Sequence, residues 1–132
     1  MKKPKPEKIW NPHKYLVAAA RKTWRWAPQH RLVLLRASVG EGKWKCEKCS
    51  KIVTRINYVT KRGRKARKID GAVDHIKPIG KQPRSWAEYE AFYEKVYCSI
   101  ENLMFLCTSC HTVKSKIEAA ERKLQREKDK QL

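Results

Sequence analysis

Two cysteine pairs constrain this chain more than any other feature. Cys46 and Cys49, and again Cys107 and Cys110, stand in C-x-x-C spacing, and a turn of that length lets both thiolates of a pair face one tetrahedral ion. Two such pairs complete a four-thiolate shell, so the sequence predicts a structural Zn2+ that closes the loop 50–106 and leaves no open coordination position for water. Four incidental buried thiols would require two coincident spacings, and disulfide-exchange chemistry would need only one pair, set in a βαβ pattern that the chain does not show. The fifth cysteine, Cys98, lies outside the pairs on a predicted helix and reads as a free core thiol. Reading the thiols as metal ligands presumes a reducing compartment. The N-terminus Met-Lys-Lys-Pro-Lys-Pro lacks the apolar region of a signal peptide, so the expected localisation is cytoplasmic.

The charge identifies the kind of partner. Lysine and arginine number 32 against 13 acidic residues, a formal net charge of +19, and such an excess repels itself unless a polyanion neutralises it. Nucleic acid is the expected partner. A membrane surface would attract the same charge, but no run approaches the roughly 20 apolar residues of a spanning helix. With 132 residues, 34% of them charged, a single modest core is all the chain can bury, and the zinc supplies the staple.

Patterning along the chain predicts an α+β fold. Residues 1–10 alternate lysine and proline and read as a basic, flexible arm. Asn11 and Pro12 read as cap and first residue of a helix to about Trp26, and Pro28 opens a second short helix ending near Gly40; together 11–42 form an N-terminal helical cap. The β-favouring run 52–58 follows the first cysteine pair, and 61–68, with six basic residues around Gly63, reads as a charged loop between strands. A strand is expected over 73–79. Ser85 and Glu88 have capping-box spacing before a helix through Tyr89, Phe92, Tyr93 and Val96. The apolar run 103–106 leads into the second cysteine pair, where Thr108 or Ser109 is positioned to cap a last helix. The charged tail 118–132 has little apolar support and is expected to fray or project.

Inside the zinc-closed loop stands Val73-Asp74-His75-Ile76-Lys77-Pro78, and after the aromatic helix come Asn102-Leu103, then Cys107-Thr-Ser-Cys110-His111 and Lys114. This order resembles the HNH endonucleases of the freestanding phage type, and the likeness covers residues 43–117. It implies a ββα-metal finger braced by the four-cysteine zinc. Position by position, it implies Asp74 and His111 as ligands of a catalytic Mg2+ or other divalent transition metal, His75 as general base, and Asn102 as the residue that holds the hairpin by bonding backbone. It also implies DNA, as duplex, for the substrate, with the finger against the minor groove. Homing, genome packaging, recombination and host-DNA attack are all roles open to such a protein, with a phage packaging or replication partner among them.

The chemistry of these residue types stands beside the likeness. Phosphodiester hydrolysis needs a deprotonated water and a cation on the oxygens that gather charge. Asp74 and His111 offer an oxygen and a nitrogen to a divalent ion, whereas His75, next to Asp74 on a strand, points to the other side of the backbone unless the strand bends. His75 is then free to act as the base, and an ordinary histidine pKa near 6.5 suits that task. Arg62, Arg64, Lys65, Arg67, Lys68 and Lys114 are the candidate DNA contacts, with Arg21, Lys22, Arg25 and the arm as further phosphate-neutralising clusters. His13 and His30, outside any constellation, read as ordinary surface or core histidines, and Asp70 as a solvated strand-end carboxylate. The rival reading is a non-catalytic zinc ribbon that binds nucleic acid or a polymerase, and after it an RNA-binding, ribosome-associated protein. The four thiolates and the charge fit these equally, but a pure binder has no need of Asp74, His75, Asn102 and His111 in this order.

Overall fold

The computed structural model describes residues 2–5 and 10–131. Of the expected basic arm, residues 1 and 6–9 lie outside the described residues, and 2–5 carry no regular structure. The Asn11 side chain accepts the His13 N–H at 3.0 Å, and Pro12, whose missing N–H costs nothing in a first turn, opens helix α1 (Pro12–Trp24). Pro28 likewise opens α2 (Pro28–Ala37), after which Ser38 turns extended. Strands β1 (Ser38–Gly40), β2 (Lys43–Lys45) and β3 (Ile52–Val53) form an antiparallel sheet in the order β1-β2-β3. The first cysteine pair occupies the turn between β2 and β3. Its backbone is knotted by Cys46 N–H to Lys51 O at 2.8 Å and Ser50 N–H to Cys46 O at 3.0 Å. Ser50 takes a left-handed φ of 65° to close that turn, a conformation few non-glycine residues adopt.

Strands β4 (Arg55–Val59) and β5 (Lys65–Ile69) pair with each other as a separate two-stranded ribbon. The expected loop over 61–68 is therefore only the turn 60–64. Residues 65–68 are strand, because alternation lets cationic side chains stay in water on a ribbon that buries neither face fully. Strand β6 (Gly71–His75) is shorter than the 73–79 expected: it starts at Gly71 and stops before Pro78. After a 3-10 turn at 86–88 comes α3 (Tyr89–Val96). The Ser85 side chain makes no cap bond there, and the Glu88 carboxylate accepts the N–H of Arg84, one residue before the cap, at 2.7 Å, so the expected box does not form and Glu88 ties down the incoming chain instead. Cys98 falls beyond the end of that helix rather than on it.

Strand β7 (Leu103–Cys107) pairs antiparallel with β6, Gly71 opposite Cys107 and His75 opposite Leu103. The chain passes directly into α4 (Thr108–Lys130), which packs across both strands. Cys107 is its cap residue, and neither Thr108 nor Ser109 caps it: the Thr108 hydroxyl donates instead to Asp70 Oδ1 at 2.6 Å. The expected fraying beyond 118 is not seen, since the helix runs to Lys130 as an exposed rod.

Two apolar clusters hold these parts. Phe105, Leu103 and Leu106 are fully buried beside Val33, Ala37, Trp44, Val53 and Val73, each large side chain contributing roughly 1.5–3 kcal/mol. The second cluster joins α1 to α3 through Val17, Ala20, Tyr89, Phe92 and Val96. Trp24 packs against both. Where β6 meets β7 a side chain is forbidden: a Cβ on Gly71 would lie 2.5 Å from Leu106 O and 2.6 Å from the Phe105 ring. The protein is thus an α+β fold of small sheets, and among the described residues no helix is long and apolar enough to cross a membrane.

Candidate metal centre and active-site cleft

The four thiols predicted to share an ion do converge. The sulfurs of Cys46, Cys49, Cys107 and Cys110 lie within 4.8 Å of one another, so the cluster could hold a metal ion such as zinc. Cys49 Sγ and Cys107 Sγ are 3.7 Å apart, close to the roughly 3.8 Å edge of a tetrahedron with Zn–S bonds of about 2.3 Å. Burial acts to raise the Cys46 thiol, but backbone N–H groups of Cys49, Cys107 and Lys48 aimed at its sulfur bring its pKa well down. Cys110 is pushed up, first by its thiol neighbours Cys107 and Cys49. Four sulfurs this close cannot all ionise without a cation among them, which is the chemistry of a thiolate metal site.

Glu47, inside the first C-x-x-C, fastens this centre to β7. Its carboxylate accepts the Phe105 N–H at 2.9 Å and the Arg36 guanidinium at 2.8 Å, while its own N–H donates to Phe105 O at 2.9 Å. No motif marks Glu47 in the sequence. Its role follows from strands that only folding brings together.

At the other end of the β6–β7 pair, an open cleft of about 410 Å³ collects Asp74, His75 and His111 against Arg21, Trp24 and Arg122. Asp74 and His75 part as strand alternation predicts. The Asp74 side chain turns to α4: Oδ2 is 3.0 Å from Lys114 Nζ and 4.0 Å from His111 Nε2, and Oδ1 accepts the His75 N–H at 2.9 Å. Two donors 4.0 Å apart can share one divalent ion held at about 2.1 Å from each. His75 turns instead to the two helices on the other side. Its buried ring lies 5.0 Å from that of Trp24, and its Nε2 is 2.9 Å from Val96 O. A carbonyl only accepts, so Nε2 carries the proton and Nδ1 is the basic nitrogen.

Asn102 sits behind the hairpin. Its side-chain Oδ1 accepts the Lys77 N–H at 3.1 Å and its carbonyl accepts the Ile76 N–H at 2.8 Å, so it holds the segment leaving β6. Lys114 is drawn inward between Asp74 and Glu118 and donates to His75 O at 2.7 Å. Burial would lower its pKa, but the Glu118 and Asp74 carboxylates outweigh that and hold it above the ordinary lysine value. Asp70, expected to be solvated, pins the root of the β4–β5 ribbon through Thr108. Arg62, Arg64, Lys65, Arg67 and Lys68 stay together on that ribbon, exposed and apart from the cleft-lining residues.

His13 and His30 make ordinary contacts. His13 bonds the Tyr89 hydroxyl beside Trp86, and His30 meets the edge of Trp24, with burial and Arg25 lowering its pKa. The sequence reading missed Glu118, Arg122 and Trp24. The first two sit one and two helical turns beyond Lys114, a spacing that points along one face of α4, whereas nothing in the sequence places Trp24 against His75. Its indole Nε1 is buried without a hydrogen-bond partner among the described residues. No protein-family model, curated protein or solved structure matches this chain.

Proposed function

We propose that the protein is a metal-dependent endonuclease of the HNH type that hydrolyses DNA phosphodiester bonds. The observation that carries this reading is the division of labour at the end of β6. Asp74 faces His111 at 4.0 Å, while His75, tied through Nε2 to Val96 O, keeps Nδ1 basic in the same cleft. On this reading β6, β7 and the start of α4 are the ββα-metal finger. A divalent ion bound by Asp74 and His111 would supply Lewis-acid stabilisation of the phosphate oxygens. His75 Nδ1 takes the proton of the attacking water as its oxygen bonds to phosphorus. The P–O bond opposite breaks, and the leaving oxygen takes a proton from solvent. Arg21, Arg25 and Arg122 line the cleft with positive charge against the phosphodiester. Lys114 balances Asp74, and Asn102 keeps the strand end in place.

One observation favours the non-catalytic zinc ribbon instead. Asp74 is already satisfied, by Lys114 at 3.0 Å and the His75 N–H at 2.9 Å, as a structural carboxylate would be. Supercoiled plasmid separates the two. The zinc-loaded protein should nick or linearise it with Mg2+ or Mn2+ and stop in chelator. His75→Gln, which can still donate to Val96 O but has no basic nitrogen, should cut roughly 10²-fold more slowly or worse while keeping zinc and fold. Equal rates for the two proteins, or no cleavage by the zinc-loaded wild type, would select the ribbon.

A further inference from the structure

The β4–β5 ribbon is the part of the molecule least explained by the cleft. Every residue of β4 is exposed, and in β5 only Ala66 and Ile69 are partly covered. The strands pack chiefly on each other. A lone two-stranded ribbon is marginal in water, and its open edges invite pairing with other chains. Lysines and arginines blunt such edges at any spacing, so edge protection explains the charge but not the order of side chains on each face.

The register gives that order. Asn57 stands opposite Arg67, Val59 opposite Lys65 and Arg55 opposite Ile69, so these six share one face, while Ile56, Tyr58, Ala66 and Lys68 share the other. On the second face Lys68 Nζ lies over the Tyr58 ring, 4.9 Å from its centroid. On the first face Arg55 is spent on Trp44, its guanidinium 5.2 Å from that ring. Asn57 and Arg67 stay exposed side by side at mid-ribbon, and among the described residues neither side chain has a hydrogen-bond or ion-pair partner. The turn 60–64 adds Lys61, Arg62 and Arg64 at the tip, closed by Gly63 at a φ of 78°.

We propose that this ribbon enters the major groove of duplex DNA and that Asn57 and Arg67 read base edges there, giving the protein a sequence preference. The inference deepens the duplex-DNA reading above and rests on it. Two strands about 4.8 Å apart, with their side chains, fill a major groove roughly 12 Å wide and are excluded from a minor groove of about 6 Å. Arginine pairs bidentately with guanine and asparagine with adenine on that side, whereas Lys61, Arg62 and Arg64 at the tip meet phosphates and fix position. The ribbon cannot swing freely from the cleft. Asp70, between β5 and β6, donates its N–H to Thr54 O at 3.0 Å and receives the Thr108 hydroxyl at 2.6 Å. Arg67 and Asp74 are seven residues apart in sequence, at most about 24 Å of extended chain, and with about 10 Å more of side-chain reach the bases read lie within about 10 base pairs of the bond cut, at roughly 3.4 Å each.

Binding selection from a randomised duplex pool, read by retention without added divalent ion, tests this independently of cleavage. The wild type should enrich a short motif containing A and G at neighbouring positions. Asn57→Ala/Arg67→Ala should lose that enrichment by roughly tenfold to a hundredfold. Arg62→Ala/Arg64→Ala should keep the motif but bind less tightly, with a salt slope shallower by about 2. All of the altered side chains are solvent-facing, and circular dichroism of each variant checks the fold. No motif from the wild type, the same motif from Asn57→Ala/Arg67→Ala, or a preference for single strands or RNA overturns the proposal. A motif that appears in a protein unable to cut plasmid would uphold the ribbon while sinking the nuclease reading.

Discussion

Cys110 and His111 are neighbours on the first turn of α4, yet they serve two centres built on opposite plans. The thiol centre is closed in its coordination: Cys46 and Cys107 are buried, Cys110 half-buried and Cys49 exposed, but four sulfurs within 4.8 Å would leave a tetrahedral ion nothing further to bind. The cleft is open: His111 and Asp74 have side chains 40% and 21% exposed, and together offer two donors. On the proposed reading, an ion there would keep positions for water and substrate. The contrast teaches why a small basic protein would carry both. The closed centre fixes where α4 starts, and with it the line between His111 and Asp74, at a site where an error of about 1 Å is costly.

Breaking the closed centre should have the largest effect. Cys107→Ser removes a ligand that is also the residue capping α4 and part of the core, and in small sites of this kind metal binding supplies about 10–16 kcal/mol of folding free energy. The variant should lose its single zinc by elemental analysis and its cooperative melt by circular dichroism. A cooperative melt without zinc would show that the core stands alone.

Disturbing the open site should cost less. Lys114→Met leaves Asp74 and Glu118 facing each other without their shared cation, at about 1–2 kcal/mol for partly buried ion pairs, with zinc retained. Because these carboxylates raise the Lys114 pKa, its contribution is complete below the ordinary lysine value of 10.5 and fades only as pH climbs past the raised one. At pH 7 the loss is therefore full, and Mn2+ should restore part of the melting temperature if Asp74 and His111 hold it. No recovery with Mn2+ would count against a divalent site there.

The join between the two regions predicts the smallest effect. Trp24 packs on both cores and on His75 but leaves its indole N–H buried and unpaired. Trp24→Phe keeps a ring and removes the orphan donor, so its unfolding free energy from chemical denaturation should stay within about 1 kcal/mol of wild type, against a loss of about 3–5 kcal/mol for Trp24→Ala. A Phe variant as unstable as the Ala variant would mean the indole finds a partner in solution.

Legibility in the sequence followed the range of the forces involved. The cap at Asn11, the helix starts at Pro12 and Pro28, and the two cysteine turns are set by neighbours in the chain and were readable there. Competition between near and distant partners was not. Thr108 looks like a cap but is taken by Asp70, and Ser85 looks like half of a capping box whose other half, Glu88, is taken by the Arg84 N–H. Residues 65–68 look like a loop because charge alone does not reveal that a partner strand lies opposite. In the cleft, Asp74, His75 and His111 were singled out by the resemblance and by the chemistry of their residue types, whereas Trp24 and Glu118 reach it only through packing between helices and strands.

The central claim is that one centre holds the fold and the other does the chemistry, and metal titration of a single sample measures both. The protein is dialysed against a mild chelator, analysed for zinc, and assayed on supercoiled plasmid as Mg2+ or Mn2+ is added back. The account predicts one zinc per chain throughout, no cleavage before addition, and cleavage that rises and saturates with the added ion. Cleavage that needs no added ion, or that tracks the zinc content alone, would contradict it.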